Sequence, residues 1–151
     1  MATEKQNDSK SSGKSDSPQL MCINLQMLRT SHTVLKSYDD AYRPFGIRAT
    51  QFPVLNLIRT RGPIVARDIA DETVTERSVL SRKLQVMESN GWIKRQDLPG
   101  TREKAYLITN QGTALLDEIT PVRIEVQNRL LTKLSDDERN LLLSLCDKLR
   151  H

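Results

Sequence analysis

Only one stretch of this chain abandons helical spacing for alternation, and it comes as a matched pair. Trp92-Ile93-Lys94-Arg95-Gln96-Asp97-Leu98 reads as a strand, Pro99-Gly100 as a turn, and Lys104-Ala105-Tyr106-Leu107-Ile108 as the returning strand. Helical patterns lie on both sides. The predicted fold class is therefore mainly α with a small β-hairpin.

Ahead of the hairpin, Leu20, Ile23, Met27, Val34 and Tyr38 recur at helical steps from Pro18, and predict a long helix that stops at about Tyr42, before Pro44 and Gly46. Thr50 is expected to cap a second helix over about 50–60, with Phe52, Leu55 and Ile58 facing inward and Gly62-Pro63 ending it. A short third helix follows from Ala66 to about Glu72. The fourth runs over about 76–89, with Val79, Leu80, Leu84 and Met87 as its apolar face and Asn90-Gly91 as its stop. Beyond the hairpin, Thr109 caps a fifth helix over 110 to about 133, with a bend expected at Pro121. Ser135-x-x-Glu138 is a capping box for a last helix, which carries Leu141, Leu142, Leu145 and Leu149.

At 151 residues there is room for one domain, and an apolar fraction of 37% is lean for a lone globule, so part of the core is expected to come from a partner chain. Residues 1–17 are polar and nearly charge-balanced, and are expected to be a disordered tail. The rest, 18–151, reads as a single domain: dimerisation helices at about 18–42 and 110–151 around a reading unit at about 47–109. Two cysteines, two histidines and no Cys-x-x-Cys leave too few ligands for a zinc site, and no cofactor is expected. No nucleophile–base–orienter set and no Gly-rich phosphate loop is visible, which argues against an enzyme. No apolar run approaches the ~18 residues of a membrane span and no apolar leader is present, so a soluble cytoplasmic protein is expected. Aromatic residues, at 4%, are too few for a surface that stacks single-stranded bases.

Helix, turn, short helix, turn, helix and hairpin make a winged helix-turn-helix. The side of the fourth helix away from the apolar face carries Arg77, Ser78, Ser81, Arg82 and Lys83. Residues 77–104 hold seven basic side chains against three acidic, which concentrates the chain's net charge of +4 in the proposed reading unit. Such a helix suits the major groove of double-stranded DNA: serine is short enough to let it seat, and arginine reaches guanine edges or phosphates.

Residues 20–149 resemble the MarR (multiple antibiotic resistance regulator) family of winged-helix regulators. The carrying pieces are Cys22-Ile23-Asn24-Leu25, Arg43-Pro44-Phe45-Gly46-Ile47, Ala49-Thr50-Gln51-Phe52, Arg61-Gly62-Pro63, Asp68-Ile69-Ala70, Ser78-Val79-Leu80-Ser81-Arg82, Leu84 with Met87-Glu88-Ser89-Asn90-Gly91-Trp92-Ile93, Leu107-Ile108-Thr109 and Gly112. The resemblance implies a homodimer built from the first and last two helices, with two recognition helices in successive major grooves about 34 Å apart on an inverted-repeat operator. It places Arg77, Ser78, Ser81 and Arg82 at the groove, with Lys83 beside them either at a phosphate or solvated. At the basic hairpin tip, with Arg102 and Lys104, the family's usual Asp-Arg-Arg becomes Gly100-Thr101-Arg102. Arg102 is the arginine implied to enter the minor groove, and Asp97 is the candidate stand-in for the missing brace. Val65 replaces the usual hydroxyl cap of the third helix, and Arg67 is either a phosphate contact or a partner of Asp71.

Two regulatory devices are implied. Cys22 falls at the reactive cysteine of the organic-hydroperoxide-sensing branch, although Ala49-Thr50-Gln51-Phe52 stands where that branch carries tyrosines, leaving Tyr38 and Tyr42 nearby in sequence. The competing reading makes Cys22 a small buried hydrophobe; Cys146 is read as core. The family also binds small aromatic acids, for which Arg29, His32 and Arg59 are the candidate anion contacts here. The reading is thus a DNA-binding regulator, most often a repressor, relieved by a small aromatic or anionic ligand or by oxidation at Cys22. The alternative is a winged-helix adaptor for proteins that does not bind DNA.

Overall fold

A computed structural model describes residues 22–100 and 103–150 of the chain. The expected tail over 1–17, the start of the first helix before Cys22, and Arg102 lie outside the described residues. In chain order the elements are α1 (Ile23–Tyr42), a 3-10 turn (Arg43–Phe45), α2 (Phe52–Arg61), β1 (Ile64–Val65), α3 (Ala66–Glu72), α4 (Arg77–Ser89), β2 (Ile93–Asp97), β3 (Lys104–Ile108), α5 (Asn110–Leu131) and α6 (Asp136–Arg150). The fold is mainly helical with a small antiparallel sheet in the order β1-β3-β2. The hairpin register runs from Ile93 opposite Ile108 to Asp97 opposite Lys104. Its third strand was not expected: β1 pairs Ile64 with Tyr106 and Val65 with Ala105, and two residues are too few to show alternation.

Two helix starts illustrate how local and tertiary signals differ. α2 begins at Phe52 rather than at a Thr50 cap. Thr50 lies in the preceding turn, and the buried side chain of Gln51 accepts a hydrogen bond from the Arg48 N–H at 2.8 Å. That turn is pinned a second time by Asp39 of α1, whose Oδ1 accepts from the Ala49 N–H at 2.7 Å. Pro53 in the first turn of α2 costs nothing, since an N–H there would have no helical acceptor. α6, by contrast, opens with both reciprocal bonds of the capping box: Ser135 N–H to Glu138 Oε2 at 2.8 Å and Glu138 N–H to Ser135 Oγ at 3.3 Å. These bonds hold the Glu138 carboxyl below its ordinary pKa.

The core lies in the head. Tyr42, Ile47, Leu55, Ile58, Ile69, Leu80, Met87, Ile93, Leu116 and Ile119 are wholly buried, which joins the end of α1, α2, α3, α4, β2 and the first half of α5 in one cluster. The stalk is different. Ile23, Leu25, Met27 and Leu28 on α1 and Leu141, Leu142, Leu143, Leu145 and Leu149 on α6 are exposed, and α6 has no buried residue. Cys146, expected in the core, is only half-buried, on a helix that has no buried residue. No described helix is long and apolar enough to cross a membrane.

Head and stalk meet at Thr109. Its hydroxyl donates to Gly91 O at 2.6 Å and accepts from the Gly112 N–H at 3.1 Å, while its own N–H donates to Trp92 O at 3.0 Å. Gly112 is packed so tightly that a Cβ there would lie 2.1 Å from Trp92 O and 2.9 Å from Ile108 Cγ1. The helix is thereby seated on the root of the hairpin through backbone atoms that cannot retreat.

Gly112→Ala is expected to destabilise the chain by about 3 kcal/mol or more through overpacking, and Thr109→Val by about 1–2 kcal/mol through loss of the cap, both read from urea unfolding. Val74, in the turn between α3 and α4, holds φ at 48° while 84% exposed. A β-branched residue there is strained by roughly 1–2 kcal/mol, partly offset by the entropy glycine would lose. Val74→Gly is expected to raise the unfolding free energy by up to about 1 kcal/mol; a lower melting temperature would show the turn to be unstrained.

Candidate nucleic-acid interface

The interface is built on α4. Leu80, Leu84 and Met87 at i, i+4 and i+7 turn one side into the core. Val79, expected on that side, is 39% exposed, because it falls one position off the stripe. The opposite side presents Ser78, Arg82, Gln85 and Ser89, all exposed. Glu76 precedes the helix, and its Oε1 accepts from the Ser78 hydroxyl at 2.6 Å, which orients the first turn.

The expected site residues divide into three groups. Arg77 and Ser81 lie on the edge of α4 toward the hairpin, lining a hollow of roughly 240 Å³ with Ala66, Arg67 and Tyr106. Ser78 and Arg82 point to solvent. Lys83 lies on the other edge. It is half-buried, lines a separate cleft, and burial pushes its pKa down. Among the described residues, neither Arg77 nor Arg82 makes an ion pair or side-chain hydrogen bond, so both guanidiniums are available to a ligand.

The hairpin carries more charge than it leaves free. Arg95 pairs with Glu88 of α4 at 2.6 Å, and the hydrogen bond it donates to the Glu88 carboxylate raises its pKa. Lys104 reaches Asp97 at 3.6 Å, so Asp97 has a partner whatever it does for Arg102. Lys94 is exposed and unpaired among the described residues. Arg67 pairs with Asp68 at 3.4 Å rather than with Asp71. Tyr106 and Gln85, which the sequence reading did not single out, line the hollows between α4 and the hairpin. For Tyr106 the available signal was its place at the centre of β3, opposite Arg95.

The candidate effector contacts are not brought together. Arg59 is taken up by Asp117 at 2.9 Å and Asn56 at 3.1 Å. Arg29 and His32 are exposed on α1. A cleft of roughly 850 Å³ is lined instead by Ser31, Leu35, Phe52, Leu57, Thr75 and Lys83 among others. Cys22 is exposed at the start of α1, not buried, and Cys22 and Cys146 are both free thiols. Tyr38 lies sixteen residues further along the same helix, roughly 24 Å away by helical rise, so neither it nor Tyr42 reaches Cys22 within one chain. Tyr42 is instead buried, its ring 5.8 Å from those of Tyr38 and Phe52, and burial pushes its pKa up to about 12.

Comparison with known proteins places this geometry. The MarR family model matches residues 45–102. The HTH-type transcriptional regulator YwoH of Bacillus subtilis (strain 168) is 25% identical over 114 residues, spanning 76% of this chain and 83% of YwoH. Among solved structures, a mutant of MarR from E. coli complexed with operator DNA superposes with a TM-score of 0.81 at 22% identity, covering 87% of this chain and 95% of that one. The M. tuberculosis regulator MosR in complex with DNA gives a TM-score of 0.74 at 26% identity, covering 86% and 97%.

Tyr42 yields a pH prediction. Its phenol is neutral in the fold up to about 12 but ionises near 10 when unfolded, so its contribution is complete below pH 10 and is lost as pH rises towards 12. Unfolding monitored across that window is expected to show falling stability, and Tyr42→Phe to flatten the fall. An equally steep fall in the variant would assign the effect to other groups.

Proposed function

We infer from its MarR-family winged-helix domain, residues 45–102, that this chain is a DNA-binding transcriptional regulator, acting as a homodimer on an inverted-repeat operator. The carrying observation is the outward face of α4: two unpaired guanidiniums, Arg77 and Arg82, flank the short hydroxyl side chains of Ser78 and Ser81. That is the chemistry of a helix that seats in a major groove, with arginines for guanine edges or phosphates. Lys104 and Arg102 extend the contact along the hairpin, Arg102 towards the minor groove. Lys83, half-buried on the far edge of α4, makes the weakest contribution of the set. The similarity to MosR, which was solved in complex with DNA, supports the same reading.

The stalk supports the homodimer reading. Apolar side chains of α1 and α6 are exposed among the described residues. Joining them to the same side chains of a second copy removes that surface from water and sets two α4 helices in a two-fold pair. The regulator is read as a repressor released by a ligand or by oxidation. The cleft beside Lys83, walled by α1, α2 and α4, suits a small aromatic or anionic effector, because occupancy there touches stalk and recognition helix at once. Oxidation at the exposed Cys22 is the other route, with any activating partner supplied by the second chain.

The test is a binding titration on duplexes selected from a random library, repeated across salt concentrations. An inverted repeat is expected, with a logarithmic salt slope of about −0.9 for each phosphate neutralised. Arg82→Ala and Arg77→Ala are each expected to weaken binding by about 1–3 kcal/mol if they read a base, or to flatten the slope by about 0.9 if they hold a phosphate. Light scattering is expected to give twice the chain mass. No selected duplex, from protein that is folded and dimeric, would favour the adaptor.

A further inference from the structure

The exposed apolar side chains fall into two populations. Nine lie on α1 and α6 and Ile124 on α5, the surface assigned above to a second copy; Val74, Val79 and Val86 lie on the head. Val74 is in a turn and Val86 is in the last turn of α4, but Val79 is the third residue of α4, within the first turn of the helix that is proposed to enter DNA. On the helix surface it lies beside the unpaired Arg82, three positions on, and Lys83, four positions on, while Arg77 lies across the helix on the edge toward the hairpin. An isopropyl group among cations, at the leading end of this helix, needs an apolar spot on an otherwise anionic partner. The major groove offers one such group, the C5-methyl of thymine, and the first residues of a recognition helix are those that meet base edges.

We propose that Val79 reads a thymine methyl in each half-site of the operator, and so sets sequence preference at a position that no hydrogen bond from α4 specifies. This rests on the DNA-binding reading above. It adds that the side chain carrying it is apolar and that its signal is the presence of a methyl group.

The experiment uses the selected duplex and the full-length protein. Each thymine is replaced in turn by deoxyuridine, which keeps the base pair and removes only the methyl. One position in each half-site is expected to lose affinity by about fourfold, the value of one methyl group taken out of water. In Val79→Ser that position is expected to tolerate uracil with no loss, and in Val79→Ala the loss is expected to shrink. Because Val79 is exposed, both variants are expected to melt with the wild type, which separates lost reading from lost folding. Val86→Ala is expected to keep full sensitivity to uracil. The proposal is overturned if no thymine is sensitive, if Val79→Ser discriminates as the wild type does, or if Val86→Ala alone abolishes discrimination; in each case the DNA-binding reading stands. If the wild type selects no duplex at all, both fall together.

Discussion

The hydroxyl of Thr109 holds three parts of the molecule in one place. It donates to Gly91 O, at the turn where α4 ends, and accepts from the Gly112 N–H, in the first turn of α5; the Thr109 N–H donates to Trp92 O at the root of the hairpin. Each of these backbone groups sits where regular structure leaves it without a partner. One side chain supplies what a helix start and a strand end both lack. The tight approach of Gly112 to Trp92 O then sets the distance at which the helix leaves the sheet. Moving α5 relative to the hairpin therefore means breaking hydrogen bonds rather than sliding side chains.

Around that junction the chain separates two kinds of surface. The head completes its own core and spends its exterior on charge, with Arg95 held by Glu88 and Lys104 near Asp97, so that Arg77, Arg82 and Lys94 remain open among the described residues. The stalk leaves its apolar rows uncovered. A lean composition is thus not spread evenly. Most of the buried residues lie in the head, and the deficit sits in α1 and α6, whose apolar side chains are exposed.

Much of this was legible wherever the signal is local. Thr109 with Gly112, Ser135 with Glu138, and Asn90-Gly91 at the end of α4 depend on residues three or four apart, and each sits where the spacing predicts. What could not be read depends on distant partners. Gln51 displaced Thr50 at the start of α2 because its side chain accepts the Arg48 N–H and Asp39 of α1 holds the same turn. β1 exists only because β3 lies beside it. Arg59, a candidate for an effector, was already taken by Asp117, fifty-eight positions away. Val79 shows the same limit inside one helix. An apolar residue next to Leu80 looks like core in a linear pattern, and only the packing of α4 decides which of the two neighbours faces in.

Consider the length of α5. Its 22 residues make a rod of roughly 33 Å, clamped to the reading head at one end and bordered by the exposed row of Ile124 and the α6 leucines toward the other. A rod clamped at one end behaves as a lever. A tilt of about 10° at the stalk displaces the clamped end by roughly 6 Å when α5 moves as one piece; Pro121, near its middle, is the point inside the helix where a ladder N–H is missing. Six ångströms is a large error against the ~34 Å repeat of the double helix. In the proposed dimer, a contact far from α4 that changes how the two stalks lean on each other would put both heads out of step with the grooves wherever α5 does not yield at Pro121.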